Sequence, residues 1–359
     1  MTFADEARRQ LDICNACRFC EGYCAVYPAL ERRINLTDGD LTQLANLCHD
    51  CRACYYACMY APPHEFALNP PRLLAELRRE SFSELIPLAR LGGRGRPLAV
   101  VVAVTAALVG VLAGSGRFGA LTASHPSAAS PYSLVPFAAL DALGIASALV
   151  ALLVFALGAR NYLRHVGPPP PGARPLAALA RAAHDALTLR WLRSAGVECT
   201  YPSAEGSPAR RRAHGLLAGG FVLALAATVV AAIDEDLLSS PPPYGLLQAP
   251  VVLGFLGGVA MLAGGLALLA LKRRADPAPA DAPTLAADHA LLGTLLVLAL
   301  TGLATLLARR SPAYGVLLAV HLDAVFSAFV LAPFSKFAHV VYRFAALVRD
   351  EEERALEAH

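Results

Sequence analysis

Apolar positions along this chain fall into two regimes, divided near residue 96. From 97 onward they run in long stretches, 97–114, 136–159, 214–233, 246–271, 286–308 and 315–342. A hydrocarbon core of about 30 Å is crossed by roughly 20 apolar residues in helical form, so six transmembrane helices are predicted, the first being the shortest. Before residue 97 the apolar positions are scattered among charges, as in a small soluble head. A long polar loop, 160–213, separates spans two and three. Within it LAALARAAHDALTLRWLRSAG, residues 176–196, places apolar residues at helical spacing. That stretch reads either as an amphipathic helix on the membrane face or as a solvated connecting helix. The preceding PPPPGARP reads as a stiff linker.

Composition supports the division. Of the 359 residues 56% are hydrophobic and only 16% charged, where a soluble chain carries about 25% charged residues. The net charge of +3 is too small to point to nucleic acid. Arg90, Arg94 and Arg96 precede the first span, nine arginines from Arg160 to Arg212 lie between spans two and three, and Lys272, Arg273 and Arg274 follow span four. The alternate loops hold Arg117, the acidic run Asp234, Glu235 and Asp236, and the pair Arg309 and Arg310. The positive-inside rule then places both termini in the cytoplasm, with the bilayer of the inner membrane as the setting. Asp5, Glu6, Arg8 and Arg9 near the start leave no apolar core for a secretory signal. The expected architecture is mainly α: a cytoplasmic head (1–96), a six-helix membrane bundle (97–345) with inner loop 160–213, and a cytoplasmic tail (346–359).

Eight of the nine cysteines lie in the head, as CNACRFCEGYC and CHDCRACYYAC. Cys14, Cys17, Cys20 and Cys24 repeat 34 residues later as Cys48, Cys51, Cys54 and Cys58, and Arg18 and Pro28 repeat at the same offset as Arg52 and Pro62. The head therefore holds two copies of one site. Disulfides need an oxidising compartment, which the expected topology denies. Zinc sites use separated CxxC pairs and have no use for a third cysteine at CxxCxxC. A cubane [4Fe–4S] cluster does use it, and in two-cluster ferredoxins the fourth cysteine of each run ligates the other cluster. Two [4Fe–4S] clusters in a ferredoxin-like helical head are expected, one on Cys14, Cys17, Cys20 and Cys58, the other on Cys48, Cys51, Cys54 and Cys24. Ala25 and Met59 follow the fourth cysteines where the bacterial ferredoxin run has proline, a departure that bears on the crossing. Cys199 stands alone and reads as structural.

Histidine is costly in a bilayer, so intramembrane histidines are functional candidates. His321 and His339 are eighteen residues apart in the last span. On a continuous helix both would share one face about 27 Å apart, one near each side of the bilayer. That geometry suits b-type haem with axial imidazoles. At the depth of His339, His214 is the preferred second ligand, with His289 also available. His321 has only His125, in a loop, as a partner, so one haem b is expected and a second lacks a transmembrane ligand pair. Lys336, three residues before His339, would pair with a haem propionate or snorkel to the interface. Asp323 is an intramembrane acid near His321, and Pro333 is expected to kink the last helix.

CNACRFCEGYCAVYPA, CRACYYACMYAPPHEFALNPPR and the loop residues DALTLRWL and CTYP together resemble the tricarballylate utilization protein B (CitB) family. The resemblance implies a membrane protein with two [4Fe–4S] clusters and haem b that reoxidises the reduced flavin of tricarballylate dehydrogenase. The membrane part is similar to the cytochrome b (gamma) subunit of respiratory nitrate reductase, whose last haem-bearing helix has histidines at the same eighteen-residue spacing. That subunit has two histidines on its other ligand helix, whereas span three here has only His214. A related module is fused to a flavoprotein in an enzyme of cobalamin-ring oxidation.

No GxGxxG follows a strand, and GGRGRP is a basic loop, so a flavin site must lie in a partner. The expected function is electron transfer: from a flavin-dependent dehydrogenase, through two clusters and haem b, to membrane quinone. The alternatives are a component of an oxygen-using oxidation, such as that of a cobalamin ring, and a cluster-based redox sensor.

Overall fold

The computed structural model describes residues 3–89, 93–123, 129–196 and 198–357; Arg90 and His125 lie outside them. The head is built from α1 (Phe3–Cys17), α2 (Val26–Glu31), α3 (Asp38–Leu47), α4 (Ala53–Tyr56) and α5 (Pro70–Leu85). Local sequence accounts for the ends of these helices. Thr37 and Asp40 form a reciprocal capping box at the start of α3. Asn69 caps α5, with prolines in its first turn where an N–H is not needed. The apolar faces converge on Leu11, Leu30, Leu44, Leu47 and Leu74, all buried in one core.

Among the described residues six helices are long and apolar enough to cross a membrane. They are α6 (Arg96–Gly114), α7 (Phe137–Val166), α9 (Ala209–Asp236), α10 (Ala249–Arg273), α11 (Ala282–Leu307) and α12 (Tyr314–Leu331), the last extended by a 3₁₀ turn to Phe334. The chain is thus a multi-pass membrane protein, mainly helical, with its iron–sulfur-like domain at the N-terminal end. Leu149, Leu152, Leu153 and Val222 project outward from the bundle, as lipid-facing residues do. Inside, small residues let helices touch. A Cβ on Gly264 of α10 would stand 2.4 Å from the Leu217 nitrogen and 2.6 Å from the Ala213 oxygen of α9. Gly257, two turns away on α10, and Gly220 on α9 make similar close approaches across the same contact. Gly264→Val is expected to cost about 1–3 kcal/mol by overpacking. It should lower the melting temperature in detergent, and an unchanged melting temperature would contradict this packing.

The last predicted span, 315–342, is corrected. Pro333 cannot donate to the helix ladder and its ring clashes with the preceding turn. The α12 helix ends at Leu331, and Ala332–Phe334 and Lys336–Ala338 form two 3₁₀ turns around an extended Ser335. The Ser335 hydroxyl accepts from the Phe337 N–H at 3.1 Å and donates to the Ala332 carbonyl at 2.9 Å. A separate helix, α13 (His339–Glu357), begins at His339. His321 and His339 are therefore not on one helix face, and the 27 Å rise argued from a continuous helix does not apply.

Residues 339–357 form a helix packed on the head. Helix α13 packs against α3, α7 and α8 (Pro175–Leu187). Tyr342, Ala346 and Leu347 join the head core. The buried Gln43 donates to the Ala346 carbonyl at 2.9 Å and accepts from the Tyr162 hydroxyl of α7. Arg32 pairs with Asp350 and Glu353, and Arg33 with Glu353 at 3.0 Å. The inner-loop helix α8 turns Ala178 and Ala182 inward and places Arg181 2.8 Å from Glu351. Its small residues thus face α13, while Leu176, Leu179 and Leu187 stay exposed, as on the apolar face of a helix that meets a membrane surface. After α8, a 3₁₀ stretch (Arg190–Gly196) leads to a ribbon of β1 (Cys199–Thr200) and β2 (Gly206–Ser207), antiparallel with Cys199 opposite Ser207.

The head is fastened to one end of the bundle. Asn161 near the end of α7 donates to the Leu85 carbonyl at 3.0 Å. The α10–α11 loop is held by Arg52 to the Asp276 carbonyl (2.8 Å), Tyr56 to the Asp276 carboxylate (2.9 Å) and Asn69 to the Ala278 carbonyl (2.9 Å). With six crossings, the head and α13 lie on the same side of the bundle.

Candidate functional site

The duplicated cysteine runs fold as duplicated turns. Arg18 and Arg52, 34 residues apart, both adopt left-handed backbone, with φ of 55° and 67°. Each sits between the second and third cysteine of its run, where the chain must reverse for three thiols to face one point. A non-glycine residue there costs about 1–2 kcal/mol, and its recurrence in both copies marks a required turn.

The fourth cysteine of each run lies with the other run. Cys14 neighbours Cys58, Cys20 and Cys17, whereas Cys24 neighbours Cys51 and Cys48, and Cys54 neighbours Cys51, Cys24 and Cys48. Cys14, Cys17, Cys20 and Cys58 line one small cavity with Phe19, Tyr60 and Leu68, and Cys54 of the other set lines it too. The two sets adjoin, with the buried Tyr27 next to Cys14, Cys20, Cys24 and Cys54. Burial first, and then the Cys58 thiol, push Cys14 and Cys20 up to about 12. Such buried thiols are poor anions alone and suit a cationic iron core that stabilises the thiolate. Among the described residues no three ligand side chains could share one metal ion. A cubane instead spreads its ligands over the corners of a cage, so the arrangement fits a cluster better than mononuclear zinc. In iron-depleted protein, iodoacetamide should label the exposed Cys17 well before Cys14 or Cys20. Equal labelling at pH 8, read by mass spectrometry, would contradict the burial described.

The two sets differ in surroundings. Around the first, Cys17, Phe19 and Met59 are exposed. The APPHEFALN strap, 61–69, closes this cavity through Leu68, while Glu65 and Phe66 remain outside. Tyr60, His64 and Phe66 stack with ring centroids 4.9–5.6 Å apart. The second set is covered by the inner loop. Ser194 donates to the Cys51 sulfur at 3.2 Å and Thr200 to the Cys51 carbonyl at 3.2 Å. Cys199 is buried in the same cluster with Leu192 and Tyr201, its thiol 3.3 Å from the Leu192 carbonyl, a packing role. The loop motif CTYP is thus the lid of the second set. Tyr201 is bracketed by Arg52 and Arg210, at 4.5 and 4.7 Å from its ring centroid.

Below this set lie the histidines of the head end. His339 and His214 are near enough to interact electrostatically. The His339 Nδ1 is 2.6 Å from the Lys336 carbonyl, which orients the ring and leaves Nε2 with a free lone pair when Nδ1 carries the proton. The His214 Nδ1 is buried without a hydrogen-bond partner. An orphaned buried imidazole beside a second, oriented one fits axial ligation of a haem iron. Lys336 is held by Asp288 at 2.9 Å, and Asp288 also pairs with Lys272 at 2.5 Å. His289 turns its Nδ1 to the Leu285 carbonyl of its own helix at 2.8 Å.

His321 stands apart from this group. Its Nδ1 is 2.9 Å from the Thr301 hydroxyl, and its ring lies against Gly302 of α11. Asp323 accepts from Thr105 of α6 at 3.1 Å. Both residues serve helix contacts within the bundle.

Several residues at the joint were not singled out from sequence. His49 is half-buried, its Nδ1 2.8 Å from the Leu47 carbonyl, and loss of hydration together with Arg343 holds its pKa well below the usual imidazole value. Arg78, Arg210 and Arg343 gather on the backbone of residues 48–50. Arg210 was legible as part of the RRR run, read there for topology; Arg78 and Arg343 carry no local signal.

Residues 87–359 match the family described as Citrate utilization protein B, and residues 7–84 match the Citrate utilization protein B Fer4-like domain. A protein of Escherichia coli named Citrate utilization protein B is 37% identical over 349 residues, covering 96% of this chain and 91% of its own length. No solved structure matches the chain. With a cysteine-rich head and six membrane-capable helices matched end to end, the chain belongs to the Citrate utilization protein B family.

Proposed function

We propose that this chain carries electrons from the reduced flavin of a partner dehydrogenase to the quinone pool of the cytoplasmic membrane. The acid oxidised by that partner is a tricarboxylate of the tricarballylate type. The carriers are two [4Fe–4S] clusters, ligated by Cys14, Cys17, Cys20 and Cys58 and by Cys48, Cys51, Cys54 and Cys24, and one haem b between His214 and His339; they supply one-electron chemistry. The head and both termini face the cytoplasm, in keeping with the arginine-rich loops at that end of the bundle.

One observation carries the reading: the eight thiols adjoin in two mixed sets, and the second set abuts the helix ends that bear His214 and His339. The residues of the chain do three things along that line. The exposed rim at Cys17, Phe19 and Met59 offers access to a donor. The inner loop, through Ser194 and Thr200, seals the second set from water. The Lys336 carbonyl orients His339.

The test is anaerobic purification, reduction by the flavoprotein with its substrate, and addition of a soluble quinone. Cluster and haem signals should be reduced by the first and reoxidised by the second. Stoichiometric zinc without cluster signals would sink the reading. The donor should dock at the strap, since Glu65 and Phe66 are exposed beside the first set. Glu65→Lys is expected to slow cluster reduction about tenfold, a cost of about 1.4 kcal/mol, with iron content unchanged. Loss of iron together with rate would make the strap a structural element only.

A further inference from the structure

Three arginines from three parts of the chain converge on the loop that starts the second cysteine set. Arg78 of α5 donates to the Cys48 carbonyl at 2.9 Å. Arg343 of α13 donates to the same carbonyl. Arg210 of α9 donates to the Asp50 carbonyl and, at 3.3 Å, to that of His49. Among the described residues none of the three has a carboxylate within 4.0 Å, whereas Arg52 has Asp50 at 3.6 Å. Arg78 is buried and Arg210 and Arg343 are half-buried, and Asp50 acts on the last two only from beyond 4.0 Å, so a further anion beside them would offset the cost of taking their charges out of water. The first set has no such company: Arg18, on its turn, is exposed and donates to the Asn15 carbonyl at 3.3 Å. Water screens that charge, while the buried Arg78 and the half-buried Arg210 and Arg343 act largely through protein.

A cubane held by four thiolates is an anion, and reduction adds one more negative charge. Fixed cations beside it favour the reduced state. The geometry points to Arg78, Arg210 and Arg343 as positioning residues that hold the potential of the cluster on Cys24, Cys48, Cys51 and Cys54 above that of the cluster on Cys14, Cys17, Cys20 and Cys58. This rests on the cluster reading above. One electron leaves the outer cluster as one enters the inner; no bond or proton changes, so the arginines set the direction of flow toward the bundle.

The experiment is an EPR-monitored redox titration of the full-length protein in detergent, with Cys24→Ser used to identify the inner signal. Wild type should show the inner midpoint above the outer. Arg78→Gln and Arg210→Gln should each disfavour reduction of the inner cluster at least tenfold, a fall of about 59 mV for a one-electron couple. The outer midpoint and the iron content should stay as in wild type. Arg78→Lys, which keeps the charge, should move the inner midpoint by less than half as much. A reversed order in wild type, equal shifts of both midpoints, or no shift would overturn the proposal. So would loss of the inner cluster from the Gln and Lys variants alike, since the arginines would then only hold the fold. Absence of cluster signals from wild type would remove the cluster reading itself, and this proposal with it.

Discussion

His339→Ala and His214→Ala are each expected to abolish the low-spin haem spectrum and to stop reoxidation of the head by quinone, while the iron–sulfur signal persists. The two histidines come from different helices, α13 and α9, and lie near enough to interact at the head end of the bundle. The Lys336 carbonyl, 2.6 Å from Nδ1, orients His339, and His214 keeps a buried nitrogen without a partner. Two imidazoles on one iron give a strong field, so loss of either should change spin state or release the haem. His321→Ala should leave this haem in place, because His321 already bonds Thr301 at 2.9 Å across the α11–α12 contact. Optical and EPR spectra of membranes decide the matter. Should His321→Ala remove all haem while His214→Ala has no effect, the ligand pair is wrong.

Cys24→Ser should cost the protein about four of roughly eight irons, and the lost cluster should be the one on Cys48, Cys51 and Cys54. Cys24 is buried beside Cys51 and Cys48, although it follows Cys20 in sequence. Cys58→Ser should do the reverse and deplete the cluster on Cys14, Cys17 and Cys20. Iron and sulfide analysis with EPR of the reduced variants separates the two. Loss of the near cluster in each case would mean that the runs do not exchange their fourth ligands.

The six membrane-capable helices were legible because each is a local fact: about twenty apolar residues with no alternative in a bilayer. The duplicated cysteine runs were legible for the same reason, since spacing along the chain carries ligand geometry. Pro333 was visible too, and a kink was expected there, but not that the helix would end at Leu331. The pattern continued apolar through 342, and only the tertiary structure showed the chain turning at Ser335 so that Tyr342 and Leu347 enter the head core. An apolar face looks the same whether lipid or protein covers it.

By itself, then, the sequence determined the two-part architecture, the cysteines that belong together as copies, and the histidines worth weighing. The tertiary structure decided that His339 starts a new helix near His214, that α13 and α8 complete the head, and that Arg78, Arg210 and Arg343 gather on residues 48–50. Those outcomes join residues up to 321 positions apart, as between Arg32 and Glu353. Periodicity reports which face of a helix is apolar, but the partner of that face is chosen by packing over the whole chain.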